Sequence, residues 1–405
     1  MPSTAQALTP EAPPPPDPSA VAQAPAVRPR IDSLDVLRGL VMVLMALDHT
    51  RDFFSNETSF DPLDLTHTHP ALFLTRWVTH FCAPVFIFLA GSGAFLSKGR
   101  GRTAKALSWF LLTRGLWCVV LELTVIRCLG WTFNFDYMII PAGVFWAIGW
   151  SMIALAGLVF LPPQAVGAFG VAMVCVHNAF DGVTAASWGS LGWLWTILHT
   201  GGPIALGNGR EFSIWYPVVP WIGVMAAGYG FGTLLHRRRT ILVTGVALTL
   251  LFVVLRASNV YGDPHPWAPQ QGGLFTLFAF ISCNKYPPSL LYLLMTLGPA
   301  LIALALLDRG TSRWMRPILV FGRVPLFYYL LHIPLIHGLA VVATYLQHVD
   351  DAWLFGLGIP RPAGAGFGLA VVYLVWAAVV AALYPACRWF ADLKRRRRDP
   401  WLSYL

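Results

Sequence analysis

Apolar residues recur in stretches of about 17 to 25 from Leu34 to near Phe390, the length a helix needs to cross the hydrocarbon core of a bilayer. Prolines, glycines and charged residues divide these stretches into ten predicted spans, at 33–53, 76–97, 105–127, 137–161, 164–180, 214–236, 240–256, 289–307, 317–346 and 366–390. The fold class this predicts is an all-α membrane protein, a polytopic bundle of about ten transmembrane helices. The same pattern sets off a Pro/Ala-rich tail over residues 1–30, a transmembrane domain over 31–393 and a basic cytoplasmic tail over 394–405. Residues 1–30 carry no basic n-region and no apolar h-region, so they are expected to be a disordered cytoplasmic tail.

Orientation follows from the basic residues, which accumulate in cytoplasmic loops. Arg28 and Arg30, the KGRGRTAK run at 98–105, Arg237 to Arg239, Arg309 to Arg316 and the KRRRR run at 394–398 fall on one side of a ten-span chain, which places both termini in the cytoplasm. The opposite loops carry the acids and most histidines: Asp52, Glu57, Asp61, Asp64, His67 and His69, then Asp181 and His199, then Asp263 and His265. Of the 405 residues 56% are hydrophobic and only 12% charged, half the charged share of a soluble domain, so the lipid bilayer is the expected surrounding. The net charge of +9 sits in loop clusters and not along one polar face, which argues against nucleic acid as a partner. The six cysteines show neither CxxC nor His/Cys spacing; they read as buried thiols, and no metal site is expected. Gly228 and Gly232 have GxxxG spacing, which permits close helix approach.

Candidate chemistry concentrates in the first span, IDSLDVLRGLVMVLMALDHTRDFF, where Asp35, Arg38, Asp48, His49, Arg51 and Asp52 flank an apolar stretch of only Gly39 to Leu47. That stretch cannot cross a bilayer alone, so some of these groups enter the hydrocarbon zone, at a cost of about 2.5–3.5 kcal/mol for each lipid-facing charge. They are therefore expected to face protein. Eleven positions separate Arg38 from His49, three turns plus about 20°, so both project from nearly one face at levels about 16 Å apart. Asp35 lies at i−3 from Arg38, within ion-pair reach. The plainer alternative has Arg38 reaching the inner headgroups and Asp48 to Asp52 closing the outer helix end. An imidazole flanked by Asp48 and Asp52 has the partners of a general base. Elsewhere, Lys285 at a non-cytoplasmic helix entrance is either an anchor for an anionic acceptor or an interface residue. His332 and His337 read as packing histidines bonded to carbonyls, beside a Pro334 that frees the Leu330 carbonyl, and His80 reads as interfacial. Glu122 within the third span is expected to pair with Arg114 or Arg127.

The stretches LDVLRGLVMVLMALDHTRDFF and FCAPVFIFLAGSGAFLS, then YPVVPWIGVMAAGYGFG, KYPPSLLYLLMTLGP and GRVPLFYYLLHIPLIH, resemble the bacterial branch of the heparan-alpha-glucosaminide N-acetyltransferase catalytic-domain family. The spacing of Arg38 and His49 also resembles the Arg, ten residues, His motif of integral-membrane acyltransferases that modify surface polysaccharides. The resemblance implies a multi-pass protein of the bacterial inner membrane. It would move an acyl group, acetyl first among candidates, from cytoplasmic acetyl-CoA or another acyl-CoA to an extracytoplasmic glycan or other small acceptor. It implies Arg38, with Asp35, on the acyl-CoA side and His49 at the transfer step, with Asp48 or Asp52 orienting it. The eukaryotic relatives place their catalytic histidine in the loop before the second span, which lands near His69 here, or His67, so His49 and His69 compete or share the role. His332 and Lys285 are the acceptor-side candidates, and a homodimer is left open. The alternative from another class is a transporter or glycan/lipid export component whose intramembrane charges mark a path and change no bond.

Overall fold

The computed structural model describes residues 31–99, 101–308, 312–397 and 399–405; the tail predicted over residues 1–30 lies outside them. In chain order the helices are α1 (Asp32–Phe54), α2 (Pro70–Lys98), α3 (Ala104–Trp131), α4 (Val144–Leu158), α5 (Pro163–Phe180), α6 (Ala185–Thr200), α7 (Val218–Leu234), α8 (Arg238–Ser258), α9 (Gly273–Ile281), α10 (Leu290–Leu307), α11 (Arg316–Arg323), α12 (Pro325–Leu346) and α13 (Leu369–Arg396). At 71% helix with little strand, the chain has the composition of an all-α membrane fold apart from one small sheet. Among the described residues α2, α3, α8, α10, α12 and α13 are long and apolar enough to cross a membrane, and α5 with α6, bent by 106°, make a seventh crossing if they form one broken span. Helix α1 drops out because of its charges, α4 and α7 because they are short.

Prolines account for the breaks. Within α2 the helix tightens at Thr79–Phe81, and Pro84 has no N–H to give the His80 carbonyl four residues back; the Tyr292 hydroxyl donates to that carbonyl at 2.7 Å instead. The predicted span 317–346 is two helices, because Val324, forced out of helical geometry (φ −133°, ψ 50°) by Pro325, separates α11 from α12. The predicted span 137–161 is corrected in the same way: Ile139–Ala142 is strand β1, and helix begins only at Val144. Pro141 is tolerated there because β1 is an edge strand.

Strands β2 (Gly202–Gly207) and β3 (Arg210–Ile214) form an antiparallel hairpin closed by Asn208 and Gly209, both at positive φ (52° and 73°), and β1 pairs parallel with β3. An Asn-Gly pair supplies the two left-handed positions that a tight hairpin turn requires. The sheet hands the chain to the interior: the amides of Trp215 and Tyr216 both donate to the Ala142 carbonyl, at 3.2 and 3.1 Å, next to the start of α4.

Helix α1 is the axis of the fold, enclosed by α2, α10, α11, α12 and α13. Protein encloses Asp35 and Arg51, and most of Arg38 and Asp48, as the cost of exposing them to lipid demands, while Asp32 and Asp52 at the two ends stay more exposed. Its approach to α11 depends on two glycines. A Cβ on Gly322 would stand 1.7 Å from the Asp35 carbonyl oxygen, and one on Gly39 would stand 2.0 Å from that of Ile318, so no side chain fits at either place. Gly228 meets the Phe88 carbonyl of α2 equally closely, which is the GxxxG face of α7.

Polar contacts sort the helix ends onto two faces. On one, Ser33 donates to Asp308, Asp32 pairs with Arg323, the Lys98 ammonium donates to the Val159 carbonyl and the Arg238 guanidinium to that of Ala305. On the other, Ser55 bridges to Phe367, the Leu290 amide donates to Asn178, and the Leu291 amide to the Gly262 carbonyl. Of the cysteines, Cys175 is exposed and the other five are buried; all six are free thiols.

Candidate active site

The C-terminal turns of α1 carry Asp48, His49, Arg51 and Asp52, and α12 lies against them. His49 Nδ1 is 2.8 Å from His332 Nε2, and the two rings stack with centroids 5.0 Å apart. His332 Nδ1 is 3.0 Å from the Tyr328 carbonyl oxygen. A carbonyl only accepts, so the network assigns the proton of neutral His332 to Nδ1 and leaves Nε2 to accept. His49 therefore donates from Nδ1 and keeps its lone pair on Nε2. Trp131, at the end of the wide helical turn Glu122–Trp131 of α3, and Tyr329 meet the His49 ring edge-on, with centroids 5.2 and 5.9 Å away. The imidazole is thus fixed in position and in tautomer.

His49 lines a narrow cavity of about 50 Å³ together with Asp48, Cys82, Phe145, Tyr216, Lys285 and Tyr329. At about 30 Å³ per water molecule this holds one or two waters. Outside it lies a polar vestibule of about 320 Å³ walled by Asp61, Asp64, Arg76, His80, His265 and Tyr286, among others. Lys285 lines both. Only 8% exposed, it has no carboxylate within ion-pair distance among the described residues, and its ammonium lies 5.0 Å from the Tyr286 ring centre. Hydrogen bonds from Thr66 and then His67 hold the Asp64 carboxyl down at about 2, so the vestibule rim carries a fixed negative charge.

Neither predicted orienting carboxylate touches His49. Asp48 Oδ2 accepts from Arg76 Nη1 at 2.6 Å, and its other oxygen is 3.1 Å from Arg51 Nη2. Asp52 pairs with Arg51 as well. A charge is expensive to bury without an opposite charge, and each of these four groups has one, although Asp48 Oδ1 and the Nε and Nη1 of Arg51 make no hydrogen bond. His332, expected on the acceptor side, is fully buried beneath His49 and lines neither cavity.

His69 stands apart from these cavities. Its Nδ1 accepts from the Leu72 amide at 3.5 Å, capping α2, and its Nε2 faces the Glu57 carboxylate at 3.1 Å, so both ring nitrogens are committed. His67 is bound to Asp64 and Thr66. Arg38 pairs with Asp35 at 2.8 Å, as the spacing predicted, and also reaches the Gly322 carbonyl at 3.3 Å. It faces α11 while His49 faces α12, and it lines neither cavity near His49.

Two further expectations are corrected, those for Glu122 and His80, and the packing role expected of His337 holds. Glu122 pairs with neither arginine; its carboxylate accepts from the Phe145 amide at 2.8 Å and so caps α4. His80 is 1% exposed and walls the vestibule, not an interface with lipid. His337, stacked on Phe53 and Phe133 and 2.8 Å from the Gly130 carbonyl, is a packing residue. Arg76, Trp131, Tyr216 and Tyr329 were not foreseen, because nothing in their spacing separates them from ordinary interfacial and core residues.

Residues 30–258, more than half of the chain, match the family model for the catalytic domain of heparan-alpha-glucosaminide N-acetyltransferase. The chain belongs to this family. Membership makes it an acyltransferase, and its apolar helices make it a multi-pass membrane protein. No curated protein matches the chain. The match spans α1 to α8, so it contains His49 but not His332 or Lys285, which the fold brings back to it from the last third of the sequence.

Proposed function

We propose that this acyltransferase takes acetyl, or a related acyl group, from cytoplasmic acyl-CoA and transfers it to a hydroxyl or amine of a glycan or other small acceptor on the far side of a bacterial inner membrane. The observation that carries this reading is the chain from the Tyr328 carbonyl through His332 to His49, which leaves a basic nitrogen at a water-sized cavity beside a polar vestibule.

In the proposed step the acceptor O–H or N–H gives its proton to His49 Nε2 as its heteroatom bonds to the thioester carbonyl carbon. The carbon–sulfur bond then breaks, and the imidazolium returns the proton to the departing CoA thiolate. If His49 carries the acyl group itself, the same atoms are exchanged in two steps. His332 is a positioning residue, holding the tautomer, and Lys285 meets the acceptor. Arg38, tied to Asp35 near the opposite helix end, is on the donor side.

A ten-pass orientation with both termini inside is part of the proposal, and the distribution of basic and acidic helix ends is its support. The basic ends of α2, α8, α11 and α13 all belong to the face where α1 begins, and the acids and histidines of the vestibule belong to the other. Asp48 and Asp52 are tied to Arg51 and Arg76 in ion pairs, which favours an enzyme over a transport path.

The direct test is release of free CoA thiol by the purified protein given acetyl-CoA and an envelope glycan extract. Thiol release that depends on the extract, with acetyl recovered on it, is the expected result. Gradient-driven flux of a solute with no thiol release would replace the enzyme reading with the transporter.

A further inference from the structure

The inside of the bend between α5 and α6 holds a second group of chemistry-bearing side chains that acyl transfer does not use: His177, Asp181 and His199. A donor atom from each lies within 4.8 Å of the others. Both histidines are 3% exposed, and neither ring nitrogen of His177 has a hydrogen-bond partner. His199 Nε2 donates to the His177 carbonyl at 2.9 Å, which puts that ring's lone pair on Nδ1, also buried and unpartnered. Asp181 Oδ2 accepts from the Asn178 amide at 2.8 Å, and Oδ1 lies 4.0 Å from His199 Nε2. The rest of the surrounding wall is apolar: Met173, Val176, Phe180, Trp188 and Trp195. Both ring nitrogens of His177 and Nδ1 of His199 are buried without a partner among the described residues, which costs folding free energy.

We propose that His177, Asp181 and His199 bind a divalent transition-metal ion of the Zn²⁺ class. Two imidazoles and one carboxylate suit Zn²⁺ and its neighbours in the first row, and not Mg²⁺ or Ca²⁺, which take oxygen donors. With donors about 2.0–2.2 Å from a tetrahedral ion, the donors stand about 3.3–3.6 Å apart, so side-chain rotations that bring the donors closer by up to about 1.5 Å close the site. Two outer contacts of a built metal site are already in place. The bond from His199 Nε2 to a backbone carbonyl orients that ring, and the Asn178 amide orients the carboxylate. The ion's role is structural. It pins a 106° bend, and Asn178, which also accepts from the Leu290 amide, links the bend to the start of α10, next to the segment that carries Lys285. This inference does not depend on the acyl-transfer reading.

The test uses the full chain purified in detergent, stripped with chelator and then loaded with Zn²⁺ alone or Co²⁺ alone. Expected are about one Zn²⁺ retained per chain after buffer exchange, visible absorption of four-coordinate Co²⁺, and a higher Tm with Zn²⁺ than without. His177→Ala and, as a variant of nearly unchanged volume, Asp181→Asn each weaken metal binding at least about tenfold, while His67→Ala retains it. The proposal is overturned by a wild-type chain that retains no Zn²⁺ and gives no Co²⁺ bands. It is equally overturned by binding that survives both His177→Ala and Asp181→Asn.

Discussion

Replacing His49 by alanine is expected to lower acyl transfer by about 10²–10⁴-fold, the contribution of a positioned general base, and to lower Tm as well, because buried His332 Nε2 loses its partner. His69→Ala is expected to leave the rate within about twofold, the scale of an exposed substitution, and to cost about 0.5–1 kcal/mol of stability through the lost cap on α2. The contrast follows from which ring nitrogens are occupied. His69 spends both on the Leu72 amide and the Glu57 carboxylate, whereas the pairing of His49 with His332 leaves its Nε2 uncommitted. His332→Ala, acting only through His49, should reduce kcat with KM nearly unchanged. Steady-state kinetics on the four proteins reads all of this. If His69→Ala and not His49→Ala removed activity, the roles of the two histidines would be reversed.

The largest effect on stability is expected from Asp48→Ala. Asp48 lies between Arg76 and Arg51 near the C-terminal end of α1. Arg51 retains Asp52, but Arg76 has no other carboxylate within ion-pair distance among the described residues. Breaking a buried pair from one side leaves an uncompensated charge, at a cost of about 3–5 kcal/mol. Thermal unfolding in detergent should show this as a large drop in Tm. The double variant Asp48→Leu with Arg76→Met should recover at least about half of it, because neither charge then remains. A single Asp48→Ala that melts like the wild type would mean the pair lies in a wetter place than its burial indicates.

Hydropathy located the helices well, because a run of apolar residues long enough to cross a bilayer has few other uses. A helix overlaps each of the ten predicted intervals, but α6 and α9 lie outside all of them. It erred where local backbone chemistry outweighed hydropathy. Pro141 lies in a strand where the apolar pattern continued as helix, Pro325 splits one predicted span into two helices, and the Asn208-Gly209 turn closes a hairpin whose flanking strands look like loop in the sequence. The charged surroundings of His49 were visible in α1 by themselves, since no lipid-facing position accepts so many ionisable groups. Its partner was not visible: 283 residues separate His49 from His332, and nothing along the chain marks which distant imidazole will stack on it. Asp48 and Asp52 were the natural choice by proximity, but an adjacent residue on a helix points to a different side, and both acids went to arginines instead.

Sealed vesicles carrying the purified protein in one orientation allow the central claim to be measured directly, with labelled acetyl-CoA supplied on one side and an envelope glycan extract on the other. Label is predicted to reach the glycan only when acetyl-CoA is on the side of Lys98 and Arg237 to Arg239, and to be lost with His49→Ala. Equal labelling by wild type and His49→Ala, or labelling only with acetyl-CoA on the vestibule side, would contradict the account.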